Sequence, residues 1–195
     1  SEKRITAEVC VHHLWFDESR YEELGARIKC NPAIKRASDR EALISALNEG
    51  RIDIIATDHA PHTLAEKHGT YFKAPAGLPL VQHALLSLFD LVAAGRISIE
   101  LVVDRACHAS ADIFGVKERG YVREGWFADL VLVDADRPCR VIADEVLYKC
   151  GWSPFEGHEF SSSIDTTIVN GDIVYRDGQL TGRIAGRRLD FGRAR

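Results

Sequence analysis

Apolar positions in the first 115 residues alternate between short continuous runs and longer segments with helical spacing. The runs at 5–11 and 52–57 are rich in β-branched residues and predict strands, the second of them buried on both faces. Because alternating strands and helices pack as parallel strands inside a layer of helices, this part predicts an α/β fold. Two strands are too few to close an eight-stranded barrel. The predicted helices cover 17–24, 38–49, 80–94, 99–107 and 110–114, and a short extended piece covers 28–31.

Capping and turn residues delimit these helices. Asp17 is placed to cap the first helix, and Gly25 ends it. Ser38 and Glu41 form an S-x-x-E pattern that predicts a capping box at the start of the next helix, which Gly50 ends. The segment between the second strand and residue 79 is rich in Gly and Pro and predicts a long loop.

The pattern changes near residue 120, where helical spacing gives way to short strand-like runs. The runs at 162–169 and 173–176 flank Asn170-Gly171, which is a strong hairpin signal, and Asp177-Gly178 marks a further turn. These short strands predict a small antiparallel or mixed β unit. We therefore expect two parts, residues 1–117 and residues 118–195.

Composition places the chain among globular proteins and excludes several classes. Of its 195 residues 46% are hydrophobic and 28% are charged, and the net charge of −4 offers no basic stripe for nucleic acid. No apolar run approaches the roughly 20 residues that span a bilayer. The five scattered cysteines suit a reducing cytoplasm better than a disulfide framework. The basic end at 182–195 is interpreted as a tail that is solvated or packed against a partner.

The string T-D-H-A-P-H at 57–62 carries the clearest chemistry. It begins where a buried strand runs out into a loop, the position where catalytic groups gather in α/β barrels. A carboxylate at Asp58 can ligate a metal ion and also exchange a proton. His62, four residues later, can reach an anionic substrate from the loop. The alternative is that Asp58 caps the next turn and that the histidines are surface residues, but the full string at a strand end favours the first interpretation.

The same string resembles the signature of the last barrel strand in dihydroorotases, which belong to the amidohydrolase superfamily. Other segments are similar to that family in order and spacing, so the resemblance covers nearly the whole chain. They are E-V-C-V-H-H-L at 8–14, K-C-N-P-A-I-K at 29–35, A-D-L-V at 128–131 and W-S-P-F-E-G at 152–157.

The resemblance implies a fold and residue roles. The fold would be the C-terminal part of a (β/α)8 TIM-type barrel followed by a small β unit. Asp58 would ligate zinc and act as the general acid and base. Asn31 and His62 would bind the substrate, with His62 near its carboxylate, and the backbone at Ala76 and Gly77 would contact the ring. The family usually has proline where this chain has Ala76, a change that a backbone contact should survive.

The resemblance also implies a binuclear zinc centre whose other ligands lie upstream of this chain. The family's H-x-H pair, its carboxylated lysine and its two further histidines have no counterpart here. His12 and His13 are weaker candidates as replacements than as supports of the strand end, Glu8 is a weaker candidate still, and Cys10-x-x-His13 is too isolated to define a zinc site. Because the chain lacks Met and begins at Ser1, we expect it to be a piece of a longer protein.

The implied activity is the reversible hydrolysis of L-dihydroorotate to N-carbamoyl-L-aspartate in pyrimidine synthesis, and the piece alone is expected to be inactive. The alternatives are another cyclic amidohydrolase, such as an allantoinase or hydantoinase, and a non-catalytic dihydroorotase-like subunit. The expected partners are this small-molecule substrate, the N-terminal remainder of the same protein and further copies in a homo-oligomer, in the cytoplasm. Neither nucleic acid nor a membrane is expected as a partner.

Overall fold

Two short parallel strands form the centre of the first half of the chain. The computed structural model describes residues 5–192; residues 1–4 and 193–195, which include Ser1 and the end of the basic tail, lie outside it. Strands β1 (Glu8–Cys10) and β2 (Ile54–Ala56) pair in parallel, with Val9 opposite Ile55. Both strands lie within the predicted runs and are shorter than those runs. Strand β1 ends early because a helix begins at Val11.

Helices surround this pair of strands. They are α1 (Val11–Trp15), α2 (Tyr21–Leu24), α3 (Ala37–Asn48), α4 (Leu64–Lys67), α5 (Ala84–Ala93), α6 (Ile99–Val103) and α7 (Ala109–Phe114). A 3-10 turn at Glu18–Arg20 precedes α2, and a second at Gly25–Ile28 replaces the start of the extended piece predicted at 28–31. A π-helical turn at Asp104–His108 joins α6 to α7 into one continuous segment.

The start of α3 differs from the predicted capping box. The Arg36 backbone N–H donates to the Asp39 carboxylate at 3.1 Å, two residues earlier in the sequence than the predicted Ser38 and Glu41. The Glu41 carboxylate forms an ion pair with Arg96. The predicted box was therefore wrong, because α3 begins at Ala37 and Ser38 lies inside the helix.

The second half is antiparallel throughout. Strands β3 (Leu130–Asp134), β6 (Ser163–Val169), β7 (Asp172–Arg176) and β8 (Gln179–Leu180) form one sheet in the order β3-β6-β7-β8. Strands β4 (Cys139–Arg140) and β5 (Glu159–Phe160) form a separate pair. The hairpin predicted at Asn170-Gly171 is present, with φ of 52° and 88° at its two residues.

Packing joins the two halves of the chain. Phe155 and Phe160 are 2% and 0% exposed and stack around Trp15 and Phe16 of the first half. The tail after β8 also returns to the first half, where the Lys117 N–H donates to the Asp190 carbonyl at 2.9 Å. Segments beyond residue 118 therefore hold helices of the first half in place.

Membrane-spanning helices are absent from the described part of the chain: within 5–192 none reaches the length and apolar character that a bilayer crossing requires.

Candidate active site

Asp58 stands at the point where the buried strand β2 ends, two residues beyond Ala56. Its φ of 48° lies in the left-handed region, which costs energy for residues other than glycine and is tolerated best by Asp and Asn. Strained backbone of this kind concentrates at functional positions. The conformation and the placement together make Asp58 a candidate functional residue.

A cleft of about 680 Å³ opens beside this aspartate. Asp58 and Asn31 both line it, so the structure brings together two of the site residues expected from the sequence. Its size is that of sites for small ligands. Lys35 and Arg36 line the same cleft together with the acidic Glu8 and Asp39, so its wall carries charges of both signs. Sequence reasoning did not assign a role to either cation, although Lys35 falls inside the segment that resembles the substrate side of the family.

His62, Ala76 and Gly77 lie together on neighbouring loops rather than on the walls of that cleft. The His62 Nε2 donates to the Ala76 carbonyl at 3.1 Å, because a carbonyl can only accept. This bond occupies the His62 Nε2. The three residues expected to bind substrate from the loops are thus brought together in space.

Gly77 is required by its surroundings. A Cβ built at Gly77 would lie 2.6 Å from the Ala60 Cβ, and the φ of 131° is itself strained for other residues. Its N–H donates to the Lys29 carbonyl at 2.9 Å. The loop around Gly77 is therefore fastened to the segment that carries Asn31.

Lys67, at the end of α4, fastens the same loops from inside the protein. Its side chain is 2% exposed, and Nζ donates to the carbonyls of Lys29, Pro75 and Gly77 at 3.3, 2.9 and 2.8 Å. Burial lowers the pKa of Lys67 to about 8, and the three carbonyl dipoles favour the charged form, so the ammonium is cationic at neutral pH. All three of its donors are satisfied.

Sequence reasoning missed both Lys67 and α4. The helix has a capping box, in which Thr63 N–H donates to the Glu66 carboxylate at 2.7 Å and the Thr63 hydroxyl accepts from the Glu66 N–H at 3.2 Å. The T-x-x-E pattern at 63–66 was a visible signal for it. Nothing in the local pattern indicated that the lysine is buried.

His59 supports the loop beyond the site. Its Nδ1 accepts hydrogen bonds from the Leu80 and Val81 N–H groups at 2.9 and 3.2 Å. Burial lowers its pKa, so the ring is neutral with the proton on Nε2. These contacts give His59 a structural role in the loop.

The segment W-S-P-F-E-G anchors the site from outside the strands. The Trp152 Nε1–H donates to the His62 carbonyl at 2.8 Å, and the ring is 1% exposed. Ser153 hydrogen-bonds the His83 Nδ1 at 3.0 Å, which ties the segment to the start of α5. These two contacts hold His62 and the start of α5 in place, which explains the structural role of the W-S-P-F-E-G segment.

Metal-binding groups are present in two places. The Asp58 carboxylate is exposed in the cleft, and Cys10, His12 and His13 each offer an atom within 4.8 Å of the others. Asp58 by itself is one carboxylate ligand, whereas catalytic zinc sites use three protein ligands. The donors fit zinc chemically, but the expected binuclear centre requires ligands beyond this set.

Comparison with known proteins identifies the class. Residues 2–174 match the model of the amidohydrolase family, and the chain belongs to that family. It is 39% identical over 184 residues to a dihydroorotase of Halobacterium salinarum and 35% identical over 176 residues to one of Methanothermobacter thermautotrophicus. These matches cover 94% and 90% of the chain but 43% and 40% of the relatives, so the chain spans about two-fifths of their length.

Solved structures support the fold. An L-hydantoinase (dihydropyrimidinase) from Arthrobacter aurescens superimposes with a TM-score of 0.84 at 27% identity, over 90% of this chain and 40% of that one. This likeness assigns the mixed α/β chain to the TIM-barrel-type fold of its structural neighbours, as the sequence predicted.

Proposed function

We propose that this chain is the C-terminal part of a dihydroorotase, which hydrolyses L-dihydroorotate reversibly to N-carbamoyl-L-aspartate in pyrimidine synthesis. The observation that carries the proposal is the cleft shared by Asp58 and Asn31 at the end of β2. Relatives named dihydroorotase match nearly the whole chain, which supports the choice of this reaction within the family.

In this proposal Asp58 moves the proton of the reaction. Its carboxylate takes a proton from the attacking water and delivers it to the departing ring nitrogen. Zinc, when bound, lowers the pKa of water and polarises the amide carbonyl. Asp58 supplies one ligand of a binuclear centre, and the remaining ligands come from the N-terminal part of the same protein.

Residues around the cleft and on the adjoining loops bind the substrate. Asn31 hydrogen-bonds the substrate, and His62 in its imidazolium form donates to the substrate carboxylate through Nδ1–H, since Nε2–H is held by the Ala76 carbonyl. The backbone at Ala76 and Gly77 contacts the ring. The Gly77 N–H also donates to the Lys29 carbonyl, and the Gly77 carbonyl also accepts from the Lys67 Nζ. Lys35 and Arg36 add positive potential that attracts the anionic substrate.

The molecular context follows from the same proposal. Residues 1–117 contribute the last part of a (β/α)8 barrel, and residues 118–195 form the small β unit with its tail. The complete enzyme works as a homo-oligomer in the cytoplasm, where the five cysteines of this chain stay reduced.

A hydantoinase is the second candidate, favoured by the structural likeness to the Arthrobacter aurescens enzyme. Its identity of 27% is lower than the 39% of the Halobacterium dihydroorotase. A histidine at position 62 also suits a substrate with a carboxylate, which the dihydroorotate ring carries and the unsubstituted hydantoin ring does not.

The experiment is a substrate panel on the full-length protein with zinc. Dihydroorotate, hydantoin and allantoin are offered at equal concentrations, and ring opening is followed by the loss of ring absorbance and by product mass. We expect turnover of dihydroorotate at least about a hundredfold above the other two, the discrimination that an unpaired buried polar group produces. A preference for hydantoin or allantoin would replace the proposal by the second candidate, and no turnover of any substrate would favour a non-catalytic subunit.

A further inference from the structure

Three side chains at the end of β1 and the start of α1 have the composition of a transition-metal site that the proposed reaction does not use. Cys10 is the last residue of β1, and His12 and His13 lie in the helix that follows. Each offers one ligand atom, and these atoms all lie within 4.8 Å of one another. Thiolate sulfur and imidazole nitrogen are the ligands that zinc prefers in proteins.

His12 provides an independent indication that a ligand belongs here. The residue is 0% exposed, and neither of its ring nitrogens has a hydrogen-bond partner of normal geometry among the described residues. Burial and then the neighbouring His13 lower the pKa of His12 to about 3, while the Thr57 backbone acts in the opposite direction. Buried polar atoms are almost always paired, and an imidazole that stays neutral is in the correct state to bind a metal ion.

His13 is oriented as metal-bound histidines usually are. Its Nε2 donates to the Pro32 carbonyl at 2.8 Å, which fixes the proton on that nitrogen. Nδ1 therefore keeps its lone pair. A ring N–H held by a backbone carbonyl is the arrangement that fixes the tautomer of ligating histidines.

The local potential favours a cation at Cys10. Burial and then the nearby Asp58 and Glu8 carboxylates raise the pKa of the Cys10 thiol to about 12. The same two carboxylates attract a divalent ion, and a metal ion that reaches the sulfur displaces its proton. The second sulfur in this region, Cys30, lies 3.8 Å from the His13 Nε2 and donates to the Pro32 carbonyl.

We propose that Cys10, His12 and His13 bind one zinc-type divalent ion at the edge of the Asp58 cleft, at a site that does not require Asp58 as a ligand. Binding forms one bond from sulfur and two from imidazole nitrogens, and it releases the thiol proton to solvent. The site stands independently of the dihydroorotase assignment, because its ligands come from β1 and α1 alone.

Cobalt(II) is the probe, since it takes zinc sites and gives a near-ultraviolet band when a thiolate binds it. The purified chain is freed of metal and titrated with Co²⁺. We expect a thiolate-to-cobalt band that saturates at one equivalent and that Zn²⁺ removes. Cys10→Ser abolishes the band and His12→Phe weakens cobalt binding, while Cys107→Ser, at an exposed cysteine, leaves both unchanged.

Folding is checked for each variant by circular dichroism, and thermal unfolding provides a second measurement. Zn²⁺ should raise the unfolding temperature of the parent and of Asp58→Asn, but not that of Cys10→Ser. No thiolate band in the folded parent would overturn the proposal. A band that survives Cys10→Ser but disappears in Cys30→Ser, or that is lost in Asp58→Asn, would overturn the assigned ligands.

Discussion

At the scale of single residues, Asp58 combines backbone strain with an exposed carboxylate. Its φ of 48° costs energy that glycine would avoid, yet glycine would remove the carboxylate from the cleft. This combination is expected of a residue that contributes to the chemistry of the site rather than to the stability of the fold.

Substitutions at Asp58 should therefore separate stability from activity. Asp58→Gly should leave the free energy of unfolding within about 1 kcal/mol of the parent, because relief of strain offsets the greater freedom of the unfolded chain. Asp58→Ala should be less stable than Asp58→Gly by about 1 kcal/mol. Urea unfolding measures both, and an Asp58→Gly protein that is clearly less stable than Asp58→Ala would show that the left-handed conformation is not retained in solution.

His83 gives the protein a pH-dependent stability. Burial lowers its pKa to about 4, against about 6.5 in an unfolded chain. Between these values the unfolded protein binds the additional proton, so stability falls as the pH drops from about 6.5 towards about 4.

Replacing His83 should reduce this acid sensitivity. In His83→Gln, which can still hydrogen-bond Ser153, the loss of unfolding free energy between pH 7 and pH 5 should be smaller than in the parent by about 2 kcal/mol. His68→Gln, at an exposed histidine, is the control and should follow the parent. Equal losses in His83→Gln and the parent would mean that His83 is not buried in its neutral form.

At the scale of elements, the site is held by contacts between segments far apart in the chain. Lys67 ties α4 to the loops at Lys29 and Gly77, and Trp152 ties the segment beyond the strands to His62. The cleft and its adjoining loops therefore depend on a few buried polar contacts.

Lys67→Met tests this dependence. The variant leaves buried carbonyls without a donor, at a cost of about 1–3 kcal/mol each, so the unfolding free energy should fall by at least about 2 kcal/mol. In the full-length protein KM for dihydroorotate should rise as well, because Gly77 and Asn31 lose their common support. Lys73→Met, at an exposed lysine, should change neither quantity. A stable Lys67→Met protein with the parent's KM would remove Lys67 from the support of the loops.

What the sequence predicts well at this scale is local. Gly25 ends α2 at φ 53°, and Asn170-Gly171 forms its hairpin, because each depends on a few adjacent residues. The capping box of α3 was predicted at the wrong residues, because the helix begins at Ala37 and Asp39 rather than Glu41 accepts from the backbone N–H at its start. The burial of Lys67 was not predictable, because its acceptors come from other loops.

At the scale of the whole molecule, the chain contains an incomplete set of catalytic parts. It contributes two parallel strands and spans about two-fifths of its dihydroorotase relatives. The motifs that carry the family resemblance predicted Asp58 and Asn31 as site residues, whereas only the fold showed that both line one cleft. The proposed binuclear centre needs more ligands than Asp58, the one ligand assigned to it in this chain.

The 195-residue chain alone should therefore show negligible hydrolysis of dihydroorotate, even with zinc present. The measurement is turnover by mass-verified, purified chain, compared with the full-length protein at equal concentration. Activity of the chain alone near that of the full-length protein would mean that its own residues complete the catalytic centre.

The most direct test of the proposed chemistry compares kcat and KM on dihydroorotate for the full-length parent, Asp58→Asn and His62→Ala. Asp58→Asn should lower kcat by about 10²–10⁴-fold through loss of proton transfer. His62→Ala should raise KM by about 10–100-fold, as expected for a lost charged hydrogen bond, and leave kcat near the parent's. A parent-like kcat in Asp58→Asn would contradict the assignment of Asp58 as the proton-transferring residue, and an unchanged KM in His62→Ala would contradict the carboxylate contact.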